Sequence, residues 1–225
     1  MVTFSQSSET AYPPAPWQLQ GIAFVTYHLI EVAIAQSFMP SDLDVFTVFP
    51  GKTLGGTYWA QYTAGSILEY NELIVFPGLI RRNYTIGPWV SHIYVDSLQS
   101  VAGGREIWGL PKELAQFTWT ENSVTANQGD RVLANLRYTP SIFPVKTWWK
   151  PGLRGDVFGG LNRDLLQFRC EFQSNFQLQT GRLTLPLESP FSALDLQQPL
   201  GTIALRDLQA YINAPEVVGV MANRP

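Results

Sequence analysis

The sequence predicts a single β-rich domain, an antiparallel barrel or sandwich with few helices. Three observations carry this reading. Short segments of alternating apolar and polar residues recur along the chain, punctuated by 18 Gly and 16 Pro among 225 residues. The composition, 45% apolar and 13% aromatic, can build a sizeable core. No internal repeat and no shift in composition divides the chain.

The elements follow in order. Residues 1–16 are rich in Ser, Thr and Pro and end in Pro13-Pro14-Ala15-Pro16, a mobile, extended lead-in to a domain over 17–225. Trp17 to Tyr27 alternates and carries Ile22, Val25 and Thr26, which predicts the first strand. His28 to Phe38 changes period, with Leu29, Val32 and Ala33 on one face and Pro40 as a stop. This predicts a short amphipathic helix beginning at His28. Strands are expected over Phe46–Phe49, Thr57–Thr63, Glu72–Phe76 and Trp89–Val95. One or two helical turns are expected over Leu98–Gly103, before a loop holding Lys112. Phe117–Ala126 and Arg131–Tyr138 form a predicted hairpin around Asn127-Gln128-Gly129-Asp130. Residues 139–164 are rich in Pro, Gly and Trp and read as an irregular functional excursion. A long pair, Leu165–Leu178 with Arg182–Leu187, and a closing strand over Leu205–Tyr211 complete the set.

Composition excludes several classes of function. A formal charge of −3 with no basic run argues against a nucleic-acid partner. The lone cysteine, Cys170, fits a reducing compartment, and its alternating context predicts a core strand residue rather than a reactive thiol. The first Lys or Arg is Lys52, so neither a signal peptide nor a transit peptide is expected. No apolar run approaches the ~20 residues of a membrane helix. A cytoplasmic protein is therefore predicted. The two histidines, His28 and His92, lack metal-site spacing, and Gly103-Gly104 and Gly159-Gly160 lack the context of a phosphate loop. No metal or organic cofactor is implied.

The chemistry centres on Lys112, one of four lysines in the chain. It alone sits in a Gly-Leu-Pro turn context, between Ile107, Trp108 and Leu110 before it and Leu114 after it. Apolar walls disfavour an ammonium, and the neutral amine is the form that attacks a carbonyl. The competing reading from spacing alone is a turn lysine facing water.

Gly104-Arg105-Glu106, followed after three residues by Leu110-Pro111-Lys112, resembles the active-site segment of the acetoacetate decarboxylase family. His92-Ile93-Tyr94-Val95-Asp96-Ser97 is similar to the strand that leads into it, and Tyr70-Asn71-Glu72 to a glutamate position lining that family's site. The resemblance implies a closed, cone-shaped antiparallel β-barrel with a few peripheral helices, a Schiff-base lysine at Lys112, and a homo-oligomer. Two departures accompany it. Glu113 stands where the decarboxylases carry a second lysine. Leu19-Gln20-Gly21 and Gly56-Thr57-Tyr58 lack an arginine and a glutamate that they carry. Pro14-Ala15-Pro16-Trp17, Thr53-Leu54-Gly55-Gly56 and Tyr70 to Val75 also resemble a side branch, the plant neoxanthin-deficient proteins, as does Ser189-Pro190-Phe191.

The further site residues carry readings of their own. Glu72 either faces the substrate, as the family pattern implies, or points outward. Arg105 and Glu106 either fasten the Lys112 segment and set its field, or form a surface ion pair worth little. Glu113 weakens the nucleophile if it shares the cavity, leaves desolvation free to activate Lys112 if it points away, or serves as a general acid or base. The resemblance of the strand before the lysine segment implies a pocket-lining place for His92. Trp148-Trp149, with Tyr138 and Phe143, either cap an apolar cavity or pack in the core. Together these readings favour a lysine-dependent carbon–carbon lyase acting on a small keto acid by decarboxylation or aldol-type cleavage. The alternative is a non-catalytic or accessory protein for an isoprenoid or carotenoid-derived ligand.

Overall fold

Side-chain alternation decides which face of each strand enters the core, and the strands pair so that two apolar clusters form on opposite faces of one sheet. The computed structural model describes residues 11–139, 151–160 and 162–222. Within them lie β1 (Trp17–Glu31), α1 (Val32–Gln36), β2 (Asp44–Val45), β3 (Lys52–Tyr62), β4 (Tyr70–Phe76), β5 (Leu79–Arg82), β6 (Thr85–Pro88) and β7 (His92–Val95). They continue with α2 (Leu98–Trp108), β8 (Lys112–Leu114), β9 (Gln116–Thr120), β10 (Ser123–Gln128), β11 (Arg131–Thr139) and β12 (Gly152–Gly159). The last are β13 (Asp164–Thr184), β14 (Gly201–Ile212) and β15 (Glu216–Val220), with a short 3-10 turn at Ser192–Leu194.

Twelve strands form one sheet, in the order β8-β7-β4-β3-β1-β14-β13-β11-β10-β9, with β12 and β15 also paired to β13. A separate three-stranded sheet runs β2-β5-β6. The architecture is β-rich with few helices, but the expected closed barrel is corrected to an open sheet. The pairing path ends at β8 on one side and β9 on the other, and no ladder joins them. The physical reason is connectivity. The two segments follow each other along the chain with only Ala115 between them, so no turn lets one fold back on the other. Among the described residues no helix is long and apolar enough to cross a membrane.

Several expected elements change. The helix predicted from His28 is a continuation of β1, because burial still alternates there: His28 and Ile30 are buried, Leu29 and Glu31 exposed. Only Val32–Gln36 is helical. The strand expected at Phe46–Phe49 is instead Asp44–Val45, and β5 and β6 add a hairpin between β4 and β7. The pair expected over 165–187 is one strand, β13. Gly181 lies inside it rather than at a turn, because a Cβ there would come within 2.1 Å of Thr202 Oγ1. The described part of the excursion over 139–164 includes β12, antiparallel to β13. Phe143, Trp148 and Trp149 lie outside the described residues. Tyr138 stacks on Phe24 with ring centroids 4.0 Å apart. Residues 11–16 of the lead-in dock on α2, where Gln99 Nε2 donates to the Ala11 carbonyl at 2.8 Å. Cys170 is a buried strand residue, and burial raises its thiol well above the usual range.

Strand periodicity separates the two faces. Phe24, Trp59, Leu73 and Val75 belong to one cluster. Ala23, Val25, Ala60, Tyr62 and Tyr70, an odd number of positions away on the same strands, belong to the other, with Ile93 and Val95 of β7. The second face carries Lys112.

Candidate active site

Three consecutive strands and one helix converge on Lys112. β4 pairs with β7 so that Glu72 lies opposite Val95, and β7 pairs in parallel with β8 so that Ile93 lies opposite Lys112. A parallel neighbour needs a crossover, and α2 supplies it. The helix starts at Ser97, whose side chain accepts the Ser100 amide, and ends at Gly109 in the left-handed conformation, φ 60°. Gly109 N–H donates to the Arg105 carbonyl and Leu110 N–H to that of Gly104, which turns the chain sharply into β8.

Two glycines inside this helix admit the site. A Cβ on Gly104 would come within 2.4 Å of Lys112 Cδ, so the lysine stem runs against bare backbone. A Cβ on Gly103 would come within 2.6 Å of Trp17 Cζ2. Mid-helix glycine costs about 1 kcal/mol relative to alanine, and here that cost is offset by close packing of Lys112 and Trp17.

The Lys112 amine is enclosed. The residue is 3% exposed and Glu72 4%. Nζ donates to Glu72 Oε1 at 2.9 Å and to Ser100 Oγ at 2.9 Å. It lies 5.0 Å from the centroid of Tyr70 and 5.5 Å from that of Trp17, within range of cation–π attraction. Glu72 Oε2 accepts from the Tyr62 hydroxyl at 3.1 Å. Burial pushes the Tyr62 and Tyr70 phenols well above the ordinary tyrosine value, so both stand as neutral donors. The arrangement couples an amine, a carboxylate and hydroxyls in an aromatic shell. Such a set can move a proton between Nζ and Oε1 and free the amine lone pair for attack on a carbonyl.

The other residues singled out in the sequence separate into two groups. Arg105 is next to the site but acts on the backbone, its Nε donating to the Lys112 carbonyl at 2.8 Å and tying α2 to β8. Glu106 accepts from the Tyr12 hydroxyl at 2.5 Å and holds the lead-in on the helix. Glu113 is exposed, turns to the opposite face and accepts from Gln128 Nε2 at 2.7 Å. It does not share the Lys112 enclosure. His92 is also on the opposite face, with its ring centroid 5.6 Å from that of Phe191 and 6.0 Å from that of Phe38. The structure does not bring it to Lys112.

Sequence reasoning missed Ser100, Tyr62, Tyr70 and Trp17 as site residues. A signal existed for Ser100, since it precedes Gly103 and Gly104 by three and four residues and shares their helix face. Nothing local marks Tyr62, which joins the site through the pairing of β3 with β4. Among the described residues no cluster of three or more His, Cys, Asp or Glu forms a group able to hold a metal. A cleft of about 860 Å³ lies elsewhere, rimmed by Gln20, Arg154, Glu171, Gln173 and Gln209, and is not lined by Lys112.

Comparison with known proteins gives the chain its family and its fold relatives. A family model described as acetoacetate decarboxylase (ADC) matches residues 1–145. Protein NEOXANTHIN-DEFICIENT 1 of Oryza sativa subsp. japonica is 33% identical over 221 residues, covering 78% of this chain and 73% of that protein. Among solved structures, an acetoacetate decarboxylase from Legionella pneumophila superposes with a TM-score of 0.70 at 18% identity, covering 95% of this chain and 93% of that one. The enduracididine biosynthesis enzyme MppR, complexed with pyruvate, superposes with a TM-score of 0.64 at 14% identity, covering 94% of this chain and 93% of that one.

Proposed function

Because the chain belongs to the acetoacetate decarboxylase family, on a branch with the neoxanthin-deficient proteins, we propose that it is a lyase whose Lys112 forms a Schiff base with the ketone of a small keto acid. One observation carries the reading: a buried amine held at 2.9 Å from both Glu72 Oε1 and Ser100 Oγ, under two aromatic rings. Glu72 takes a proton from Nζ, and the freed lone pair attacks the carbonyl carbon. Loss of water leaves an iminium. The bond that breaks joins the α carbon to a carboxylate, or to a carbinol carbon whose hydroxyl proton passes to Glu72. Its electron pair flows into the iminium, releasing CO2 or an aldehyde and leaving an enamine. A proton on the enamine carbon and hydrolysis of the imine return the lysine. The enclosure excludes bulk water, which strengthens each of these electrostatic contacts. The pyruvate complex of the structurally similar MppR supports a keto acid as the class of substrate.

The test is borohydride trapping with acetoacetate, pyruvate and a panel of larger keto acids, read by intact mass. The wild type is expected to gain one reduced adduct that Lys112→Ala abolishes. No adduct with any compound between pH 5 and 9 would remove the Schiff-base reading. The alternative, a binder of an isoprenoid or carotenoid-derived ligand, draws on the similarity to the neoxanthin-deficient protein. The polar rim of the large cleft, with four glutamines among its lining residues, does not favour a long apolar ligand there. Self-association belongs to the same proposal and is read by sedimentation of the full chain.

A further inference from the structure

Beyond Glu72 the buried face of β3 carries two tyrosines that the chemistry above does not use. Positions 58 and 62 share a strand face by the two-residue period. Tyr62 is 5% exposed, and its hydroxyl donates to Glu72 Oε2 at 3.1 Å. The Tyr58 hydroxyl lies 3.1 Å from that of Tyr62, and Tyr58 is partly exposed. A phenol has one proton to give. Tyr62 commits it to Glu72, so Tyr58 is the donor in the contact between the two hydroxyls. The result is a one-way chain, Tyr58 to Tyr62 to Glu72, meeting Lys112 from the other side.

We propose that Tyr62, oriented by Tyr58, is a positioning residue that keeps Glu72 ionised with Oε1 aimed at Lys112, and so sets the pH at which the lysine amine becomes free. The inference rests on the Schiff-base reading for its functional meaning. The groups around the Glu72–Lys112 pair are Ser100 from α2, which accepts from Lys112, Tyr70 from the strand of Glu72, Tyr58 and Tyr62 from β3, and Cys170 from β13. Burial raises the three phenols and the thiol, so these stay neutral and Lys112 is the charged partner among the described residues. The sign follows. A phenol donating to the carboxylate stabilises its anion, and the anion stabilises the ammonium. Without that donor Glu72 becomes the better base, and the amine is freed at lower pH.

The experiment is an NMR titration of 13Cε-labelled lysine in the full-length protein, with the Lys112 signal assigned by its absence in Lys112→Met. Tyr62→Phe keeps the ring and its packing. It is expected to lower the Lys112 titration midpoint, so that a larger fraction of the amine is free at a fixed pH. Tyr58→Phe should shift it in the same direction by less. Thr57→Val, on the opposite face of the same strand, should leave the midpoint in place even if stability falls, which separates positioning from general support. An unchanged midpoint in both tyrosine variants, with folding verified by circular dichroism, would overturn the inference. The titration needs no substrate, so failed trapping with keto acids removes the Schiff-base reading alone, whereas an unmoved midpoint removes the tyrosine relay alone.

Discussion

Strand β3 carries two buried polar networks on its two faces, and they are built for opposite ends. On one face, Thr57 Oγ1 accepts from Trp59 Nε1 at 2.9 Å and meets Thr26 Oγ1 at 2.7 Å, and Thr26 meets His28 Nε2 at 3.1 Å. Thr26, Thr57 and Trp59 are 0% exposed and His28 3%. Burial pushes the imidazole down to about 4, against smaller opposing effects of a backbone hydrogen bond at Gln198 and the charge of Asp195. This network is neutral at physiological pH. On the other face, Tyr58 and Tyr62 lead to a carboxylate and an amine 2.9 Å apart. Neutral hydroxyl networks are inexpensive to bury once every donor is satisfied, and they pin one strand register to another. A buried charged pair is at best weakly stabilising, because desolvation offsets the attraction. Its retention in the core points to chemistry rather than to stability.

The contrast can be broken in three ways, the largest first. Lys112→Met or Glu72→Leu alone strands a buried charge, and each is expected to cost about 3–5 kcal/mol in chemical denaturation. The double variant should lose less than either single change. Additive losses would mean that the two groups are not coupled and that the faces differ less than their geometry implies. Next, Gly104→Ala places a methyl against the lysine stem and should cost about 1–3 kcal/mol by overpacking. It should also diminish trapping at Lys112 more than stability alone accounts for, and full trapping would show that the stem can move aside. Smallest is the pH response of the neutral face. The folded-state value of His28 lies below its unfolded value of 6.5, so its contribution is complete above 6.5 and drains as pH falls toward 4. The expected slope is about 1.4 kcal/mol per pH unit. A His28→Gln variant should flatten that part of the stability profile relative to the wild type, whereas parallel profiles would place the acid sensitivity elsewhere.

The lysine segment was legible because its information is local. Lys112, the paired glycines, Arg105 and Glu106 lie within ten residues of one another, and turn chemistry and motif spacing act over that range. The β-rich class was legible for the same reason, since alternation is a property of neighbours. Where a reading of period went wrong, as at His28, the competing patterns differed by only a few residues and burial decided between them. Glu72 could be named from its motif but not oriented, because alternation leaves two faces equally open until a partner strand buries one. The pairing of β4 with β7, and of β7 with β8, chose the face and brought Glu72 to Lys112. Tertiary structure alone supplied Tyr62 and Trp17, sent Glu113 and His92 to the opposite face, and left the sheet open between β8 and β9. The physical reason is the range of the forces involved. A sequence specifies conformation through contacts a few residues apart, whereas a site of this kind is assembled by strand register, which joins positions 40 residues distant and is set by the burial of both faces at once.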